Sequence, residues 1–383
     1  MNTLVLCSFA PSLVLFRRRF IKELVSRGCL VKCSAPAFSD AIVNDLKKIG
    51  VEPVIFPLSR TGLNPITDFF YIRYIYKRLK EDKTEILFAY TVKPVIFGLI
   101  AAWLAGVPKR FAMITGAGYA FGGTTVKQKC VGIIVKVLYR FSLKRANRVF
   151  FQNRDDRDLF LENRLVNADS IAVINGSGID LKYFIVRKFP SFKPIVFLMV
   201  ARLLRAKGVV EYLEAAKIAS KKLPNARWVL VGPIDQGNPD SVPKAEFIAK
   251  LESSPVKYFE WTDDVRQHLQ KCHVFVLPSY REGLPRTVLE AMATGRPIIT
   301  TDVPGCRETV THGINGLLVP SKDMQSLANA MVEIARDEYK IQKMGVQSRY
   351  IAEEKFNSDL IARQMVDFMA LNVNEEQCST QLQ

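Results

Sequence analysis

The chain has 383 residues, 49% hydrophobic and 24% charged, a length for two ordinary domains and a composition that excludes disordered, collagen-like and disulfide-stapled classes. Its seven cysteines contain no C-x-x-C pair and its histidines number three, His268, His273 and His312, so a disulfide framework, a zinc knuckle and a multi-histidine metal centre lack their residues. The formal charge of +17 sits in one half: residues 1–190 hold 30 Lys+Arg against 14 Asp+Glu, residues 191–383 hold 24 against 23, and residues 101–150 hold nine basic residues and no acidic one. Such a first half should face polyanions, whether nucleic acid, anionic lipid or a phosphorylated substrate.

In chain order, Asn2 to Phe16 is apolar, but its basic cluster Arg17-Arg18-Arg19 follows the run, the reverse of a secretory signal. It reads as a first buried strand, and export is not expected. Strands are predicted at Leu4–Cys7, Leu30–Cys33, Val54–Phe56, Ile86–Ala89, Phe111–Ile114, Val149–Phe151 and Ile171–Ile174, short runs without strict alternation, as for strands covered on both faces. The longest apolar run, Pro94 to Val107, has 14 residues, fewer than the roughly 20 a bilayer needs, and reads as a buried helix. Helical patterns between the strands make the rhythm βαβ, with a parallel sheet.

A basic stretch with two prolines, Arg187 to Pro194, interrupts this rhythm and is the expected linker. Strands resume at Ile195–Val200, Trp228–Val231, Tyr258–Glu260, Val274–Leu277, Ile298–Thr301 and Leu317–Val319, with helices at Val209–Leu223 and Pro285–Thr294. The expectation is an α/β chain of two doubly wound, Rossmann-like parallel-sheet domains. They cover residues 1–188 and 189–383, with the last helices able to pack back on the first domain and a polar, frayed tail over Asn372–Gln383. Ligands of such sheets bind beyond the carboxyl ends of the strands, and the cleft between two such domains is the expected site.

The sharpest local signal is the segment Ser279 to Met292. Gly283 sits in a loop after a strand, Leu284 follows, and Pro285 stands where a first helical turn needs no N–H, with Gly295 as the stop. The amides of that turn and the helix dipole make a phosphate cradle that Gly283 lets a ligand approach. Glu282 and Glu290, eight residues apart, can both reach one ligand as acceptors for sugar hydroxyls. Equally, Glu282 can favour the helix N-terminus and Glu290 can pair with Arg286 at i, i+4. Before this segment, Arg202 and Lys207 lie on a strand-to-helix loop, where they can grip a diphosphate or form a solvated basic loop. Asp156-Arg157-Asp158 spells DxD, but it opens a helix where acidic residues favour the dipole, and it reads as structural.

The Glu-x7-Glu spacing after a strand resembles the signature of the retaining glycosyltransferases of family 4, which have the GT-B fold. The Arg202–Lys207 loop is similar to the family's pair that binds the donor diphosphate. The likeness extends over most of the chain. Within the family it runs nearest to bacterial transferases that add N-acetylgalactosamine to an undecaprenyl-diphosphate-linked sugar in N-glycan and O-antigen assembly. Leu63-Asn64-Pro65, the Lys93 turn, the Gly116–Gly118 loop, Asn175 to Asp180 and the Glu282–Glu290 segment carry it.

The resemblance implies a UDP-sugar donor, a polyprenyl-diphosphate-linked sugar acceptor, retention at the anomeric carbon and no obligatory metal or other cofactor. It implies Arg202, Lys207 and Glu282 as catalytic residues, and Glu290, Gly283, Leu284, Pro285, Trp261 and Thr262 as donor-binding ones. Ala10, Pro11, Lys93, Gly116, Gly118 and Tyr119 fall to the acceptor. The loop Ser8 to Ser12 has no glycine where many relatives are glycine-rich, and no histidine stands near Lys93 where many relatives have one.

Segments Phe69–Arg78 and Ile133–Arg145 mix aromatics, aliphatics and cations at helical spacing. Such helices suit an anionic membrane surface, here the cytoplasmic face of an inner membrane, so a peripheral cytoplasmic enzyme is expected. No nucleic-acid-binding pattern accompanies the charge. A soluble nucleotide-sugar epimerase with the same fold and a non-catalytic membrane adaptor are the alternatives.

Overall fold

The computed structural model describes residues 1–58, 64–118, 121, 126–235, 237–238, 240–262 and 264–371. Contacts divide the chain into two units, the first comprising residues 1–177 and 358–383, the second residues 178–357.

The first unit holds strands β1 (Asn2–Leu6), β2 (Leu30–Ala35), β3 (Glu52–Ile55), β4 (Ile86–Tyr90), β5 (Lys109–Ile114), β6 (Arg148–Phe151) and β7 (Ile171–Val173), ordered β3-β2-β1-β4-β5-β6-β7. Every pairing is parallel. Alternate residues of one strand enter different cores, which is why the strands read as continuous apolar runs. Leu4, Leu6, Leu87 and Ala89 pack into one core with Ile75 and Leu99, whereas Val5, Cys7, Phe88 and Tyr90 pack into the other with Phe20 and Ile21.

That second core also takes Ile361, Met365 and Val366 from the helix Ser358–Phe368, the last of the described residues to form one. This helix lies on the helix Arg18–Ser26 and is tied to the first unit by Arg19–Asp359 and Arg27–Asp367 ion pairs at 3.3 and 3.0 Å.

The second unit holds β8 (Val196–Val200), β9 (Arg227–Val231), β10 (Val256–Phe259), β11 (Val274–Leu277), β12 (Ile298–Thr301) and β13 (Gly316–Val319), in order β10-β9-β8-β11-β12-β13, again parallel throughout. In each sheet the strand order reverses beside the strand that starts it, between β1 and β4 and between β8 and β11. In such sheets a ligand crevice lies beyond the carboxyl edge beside that reversal.

Two expectations need correction. The division falls between Ser177 and Gly178, ahead of the 188/189 boundary, because Ile179 and Phe184 are already in the second core and the Ile179 amide donates to Phe356 O at 2.7 Å. Nor is Arg187 to Pro194 a free linker. The buried Arg296 guanidinium donates to the carbonyls of Arg187 and Lys188, and Phe189 and Phe192 pack beside His273. The run from Pro94 is a π-helical turn, Pro94–Gly98, continuing as the α-helix Leu99–Leu104, which leaves Trp103 and Leu104 exposed.

Candidate active site

The loop leaving β8 passes Arg202, makes a short 3-10 turn at Arg205–Lys207 and enters the helix Val209–Ser220 at Gly208. Gly208 has φ +72°, and a Cβ there would stand 2.1 Å from the Pro278 carbonyl oxygen. Only glycine allows both the conformation and the approach. The contact presses the β8 loop against the loop leaving β11, and Tyr280 N donates to Ala206 O at 2.8 Å across the same seam.

The two loops meet at a charge pair. Lys207 Nζ donates to Glu282 Oε1 at 2.5 Å, and the buried Ser279 hydroxyl donates to the same oxygen at 2.8 Å. A third loop, leaving β12, fixes Glu282 from behind. Glu282 N donates to Pro304 O at 3.0 Å, and a Cβ on Gly305 (φ +82°) would stand 2.4 Å from the Glu282 carbonyl oxygen. An ammonium has three donors and Glu282 uses one, so Lys207 can hold the carboxylate and an anionic ligand together.

Arg202 is half-exposed and donates to Asp235 Oδ2 at 2.7 Å, which orients the guanidinium at the β8 exit. The helix after β11 runs Arg286–Ala293, with Pro285 as its N-cap in extended conformation, one residue before the first-turn position expected for it. Thr294 caps the other end and Gly295, at φ +75°, ends the helix as expected. Glu290 is buried on this helix and accepts from Arg286 Nε at 3.0 Å, the i, i+4 pair that was one of its two readings. Burial pushes its carboxyl above the usual glutamate value, with Arg286 pulling it partly back. Gly283 and Leu284 lie half-buried in the same loop. At the β10 exit Trp261 is 71% exposed, and Thr262 Oγ1 donates to the Asp264 carbonyl at 3.1 Å.

In the first unit, the loops leaving β1 and β4 are joined at the switch point by Ser8 Oγ and Thr91 Oγ1 at 2.9 Å. Ala10 is buried and Pro11 half-buried at the start of the helix Pro11–Leu15. Gly116 and Gly118, with φ +135° and +56°, shape the loop after β5. Lys93, expected either on an acceptor phosphate or as a surface charge, is buried, and its ammonium is bound to Asp68 Oδ1 at 2.9 Å. Asp68 in turn accepts from Asn64 N at 3.3 Å at the head of the helix Pro65–Glu81. Tyr119 and Leu63 lie outside the described residues.

Asn153 caps the helix Arg154–Glu162, its Oδ1 accepting the Asp156 amide at 2.7 Å, and Asp158 pairs with Arg157 at 2.7 Å, so the DxD sequence serves that helix. Among the described residues no three His, Cys, Asp or Glu side chains gather as metal ligands.

Residues 184–352 match the family model of glycosyl transferases group 1, and residues 4–153 match that of glycosyl transferase 4-like proteins. The chain is 34% identical over 84% of its length, and 86% of the other, to the N,N'-diacetylbacillosaminyl-diphospho-undecaprenol alpha-1,3-N-acetylgalactosaminyltransferase of Campylobacter jejuni. The chain belongs to glycosyltransferase family 4. A UDP-Gal:alpha-D-GlcNAc-diphosphoundecaprenol alpha-1,3-galactosyltransferase of Escherichia coli is 31% identical over 75% of this glycosyltransferase and 76% of its own length. Among solved structures, Anabaena HepE in complex with UDP superposes with a TM-score of 0.78 at 20% identity, covering 97% of this chain and all of that one, and shares the GT-B fold.

Sequence reasoning singled out both charged segments of this glycosyltransferase but missed what joins them. Asp235, which holds Arg202, carries no motif, and Ser279, which holds Glu282, opens the Ser279–Met292 segment with no sign in sequence of that bond. Gly208 and Gly305 announce nothing of their contacts in sequence, and only the packing shows that each abuts a carbonyl of the β11 loop.

Proposed function

We propose that this glycosyltransferase moves a sugar, N-acetylgalactosamine as first choice, from its UDP derivative to a polyprenyl-diphosphate-linked sugar, with retention at the anomeric carbon. The observation that carries the donor side is the Lys207–Glu282 pair, built by two loops that cross at the switch point of the second sheet. Arg202, Lys207 and the amides at the start of the helix Arg286–Ala293 neutralise charge on the departing diphosphate. Glu282 orients the donor sugar, Glu290 holds the ribose hydroxyls, Gly283 and Pro285 leave room for the phosphate, and Trp261 and Thr262 border the base. The identity to transferases acting on undecaprenyl-diphosphate sugars supports the choice of acceptor and of N-acetylgalactosamine.

In this reaction the bond from the anomeric carbon to the phosphate oxygen breaks. The acceptor hydroxyl oxygen bonds to the same face of that carbon, and the hydroxyl proton passes to the leaving phosphate. The first sheet's carboxyl edge, with Ala10, Pro11, Gly116 and Gly118, takes the acceptor.

The lipid carrier calls for a membrane surface, and the first unit offers one. Ile66, Phe69 and Phe70 on the helix Pro65–Glu81 and Ile133, Ile134 and Val137 on the helix Val126–Leu143 are exposed, while Arg145 stacks over Phe141 and Trp103. Both helices pack on the segment from Pro94 to Leu104. Exposed apolar side chains amid cations suit the headgroup layer of an anionic leaflet, here the cytoplasmic one. No helix among the described residues is long and apolar enough to cross a membrane.

The test is a panel of UDP-sugars against short polyprenyl-diphosphate sugars, read by mass spectrometry, with NMR of the new bond. An α-linked product from an α-linked UDP donor is expected. An inverted product contradicts the mechanism, and transfer to none of the lipid-linked acceptors contradicts the substrate assignment.

A further inference from the structure

Glu211 stands in the first turn of the helix Val209–Ser220, behind the Lys207 loop, and is 6% exposed. Its Oε1 accepts the Tyr280 hydroxyl at 2.5 Å, while Oε2 is buried without a hydrogen-bond partner among the described residues. A packing position would hold an apolar side chain at less cost than a carboxylate that makes one bond.

Tyr280 lies two residues before Glu282, and its amide already donates to Ala206, the residue before Lys207. The Lys322 ammonium, from the loop after β13, covers the Tyr280 ring at 4.8 Å from its centroid. Tyr280, itself on the β11 exit, thus meets the β8 exit through its amide, the first turn of the helix after that loop through its hydroxyl and the β13 exit through its ring. The Lys207–Glu282 pair sits beside these contacts.

Building on the donor reading above, we infer that Glu211 is a positioning residue for the transfer. Through the Tyr280 hydroxyl it fixes the separation of the β8 and β11 exit loops, and so the position in which Lys207 and Glu282 meet the sugar nucleotide. Neither Glu211 nor Tyr280 touches the ligand in this account.

The test compares Tyr280→Phe, Glu211→Ala and Glu211→Gln with wild type in three measurements: UDP affinity by calorimetry, the donor and acceptor KM, and thermal unfolding. Tyr280→Phe and Glu211→Ala are expected to weaken UDP binding and raise the donor KM by about tenfold, with the acceptor KM unchanged. Glu211→Gln keeps a carbonyl acceptor for the hydroxyl and is expected to restore most of the affinity lost in Glu211→Ala. Variants that melt earlier yet bind UDP like wild type, per folded molecule, overturn the inference and reduce Glu211 to a packing residue. Equal rises in donor and acceptor KM overturn it too. Wild-type protein that binds no UDP would instead sink the donor reading on which it rests.

Discussion

Glu290 is a buried carboxyl paired with Arg286, and in the proposed mechanism it also accepts the ribose hydroxyls. Its raised proton affinity in the folded state means that it contributes stability fully below the ordinary value of 4.5 and loses that contribution as pH rises through its elevated value. Glu290→Gln, which cannot titrate, is expected to gain on wild type in urea unfolding as pH climbs from about 4 to about 7. A constant gap between the two across that range contradicts the assignment. In catalysis, Glu290→Ala and Lys207→Ala should each lower turnover by about tenfold or more with the fold intact by circular dichroism. Wild-type turnover in either removes its role. In the proposed mechanism Arg202 and Lys207 supply the positive charge that a leaving diphosphate needs, so turnover is expected to survive excess chelator. Loss of turnover that returns with Mn²⁺ would require a metal in the account.

Lys93 shows what residue types alone cannot tell. As a lysine after a strand it looked like a phosphate ligand or a surface charge, whereas its ammonium lies buried on Asp68, 25 residues earlier. Nothing local links these two positions. Removing the partner leaves a buried charge unmatched, so Asp68→Ala should cost about 3–5 kcal/mol in urea unfolding. A cost within 1 kcal/mol or so, the range of exposed pairs, would show that the pair is effectively solvated.

At the scale of elements, Val274–Leu277 and Ile298–Thr301 stand within the residues predicted for them, and the remaining strands differ by one or two residues at their ends. They were legible because strands buried on both faces must be apolar throughout, and the helices between them are set off by glycine and proline. The loops joining them were legible as chemistry and not as geometry. Arg202, Lys207 and Glu282 announce charge at strand exits and Glu290 in the helix beyond, but Lys207 and Glu282 are 75 residues apart and meet only because Gly208 lets one loop lie on Pro278. Gly208→Ala should therefore separate the pair while leaving the helix Val209–Ser220 in place, lowering turnover by about 100-fold, the usual effect of a misplacement near 1 Å. Undiminished turnover in that variant would show that the seam between the loops does not set the site. The docking of Arg187 to Pro194 was illegible for the same reason, since its anchor Arg296 is about 100 residues away in sequence.

Over the whole molecule the charge is divided as the substrates are in this account. The second half is nearly neutral, with Arg202 and Lys207 in the proposed donor crevice, while part of the first half's excess lies on the helices Pro65–Glu81 and Val126–Leu143, which also expose Phe69, Phe70, Ile133 and Val137. Binding to liposomes should rise with the fraction of anionic lipid and fall with salt, each cation near the surface adding about 1 kcal/mol. Replacing Phe69 and Phe70 by serine should weaken flotation with liposomes without changing turnover on a short, water-soluble acceptor. Binding indifferent to lipid charge would move the acceptor's carrier to some other surface.

Crystals soaked with UDP give the most direct reading of the central claim. The diphosphate is expected within hydrogen-bonding distance of Arg202 and Lys207, with the ribose hydroxyls on Glu290. A nucleotide bound away from these three side chains would contradict it.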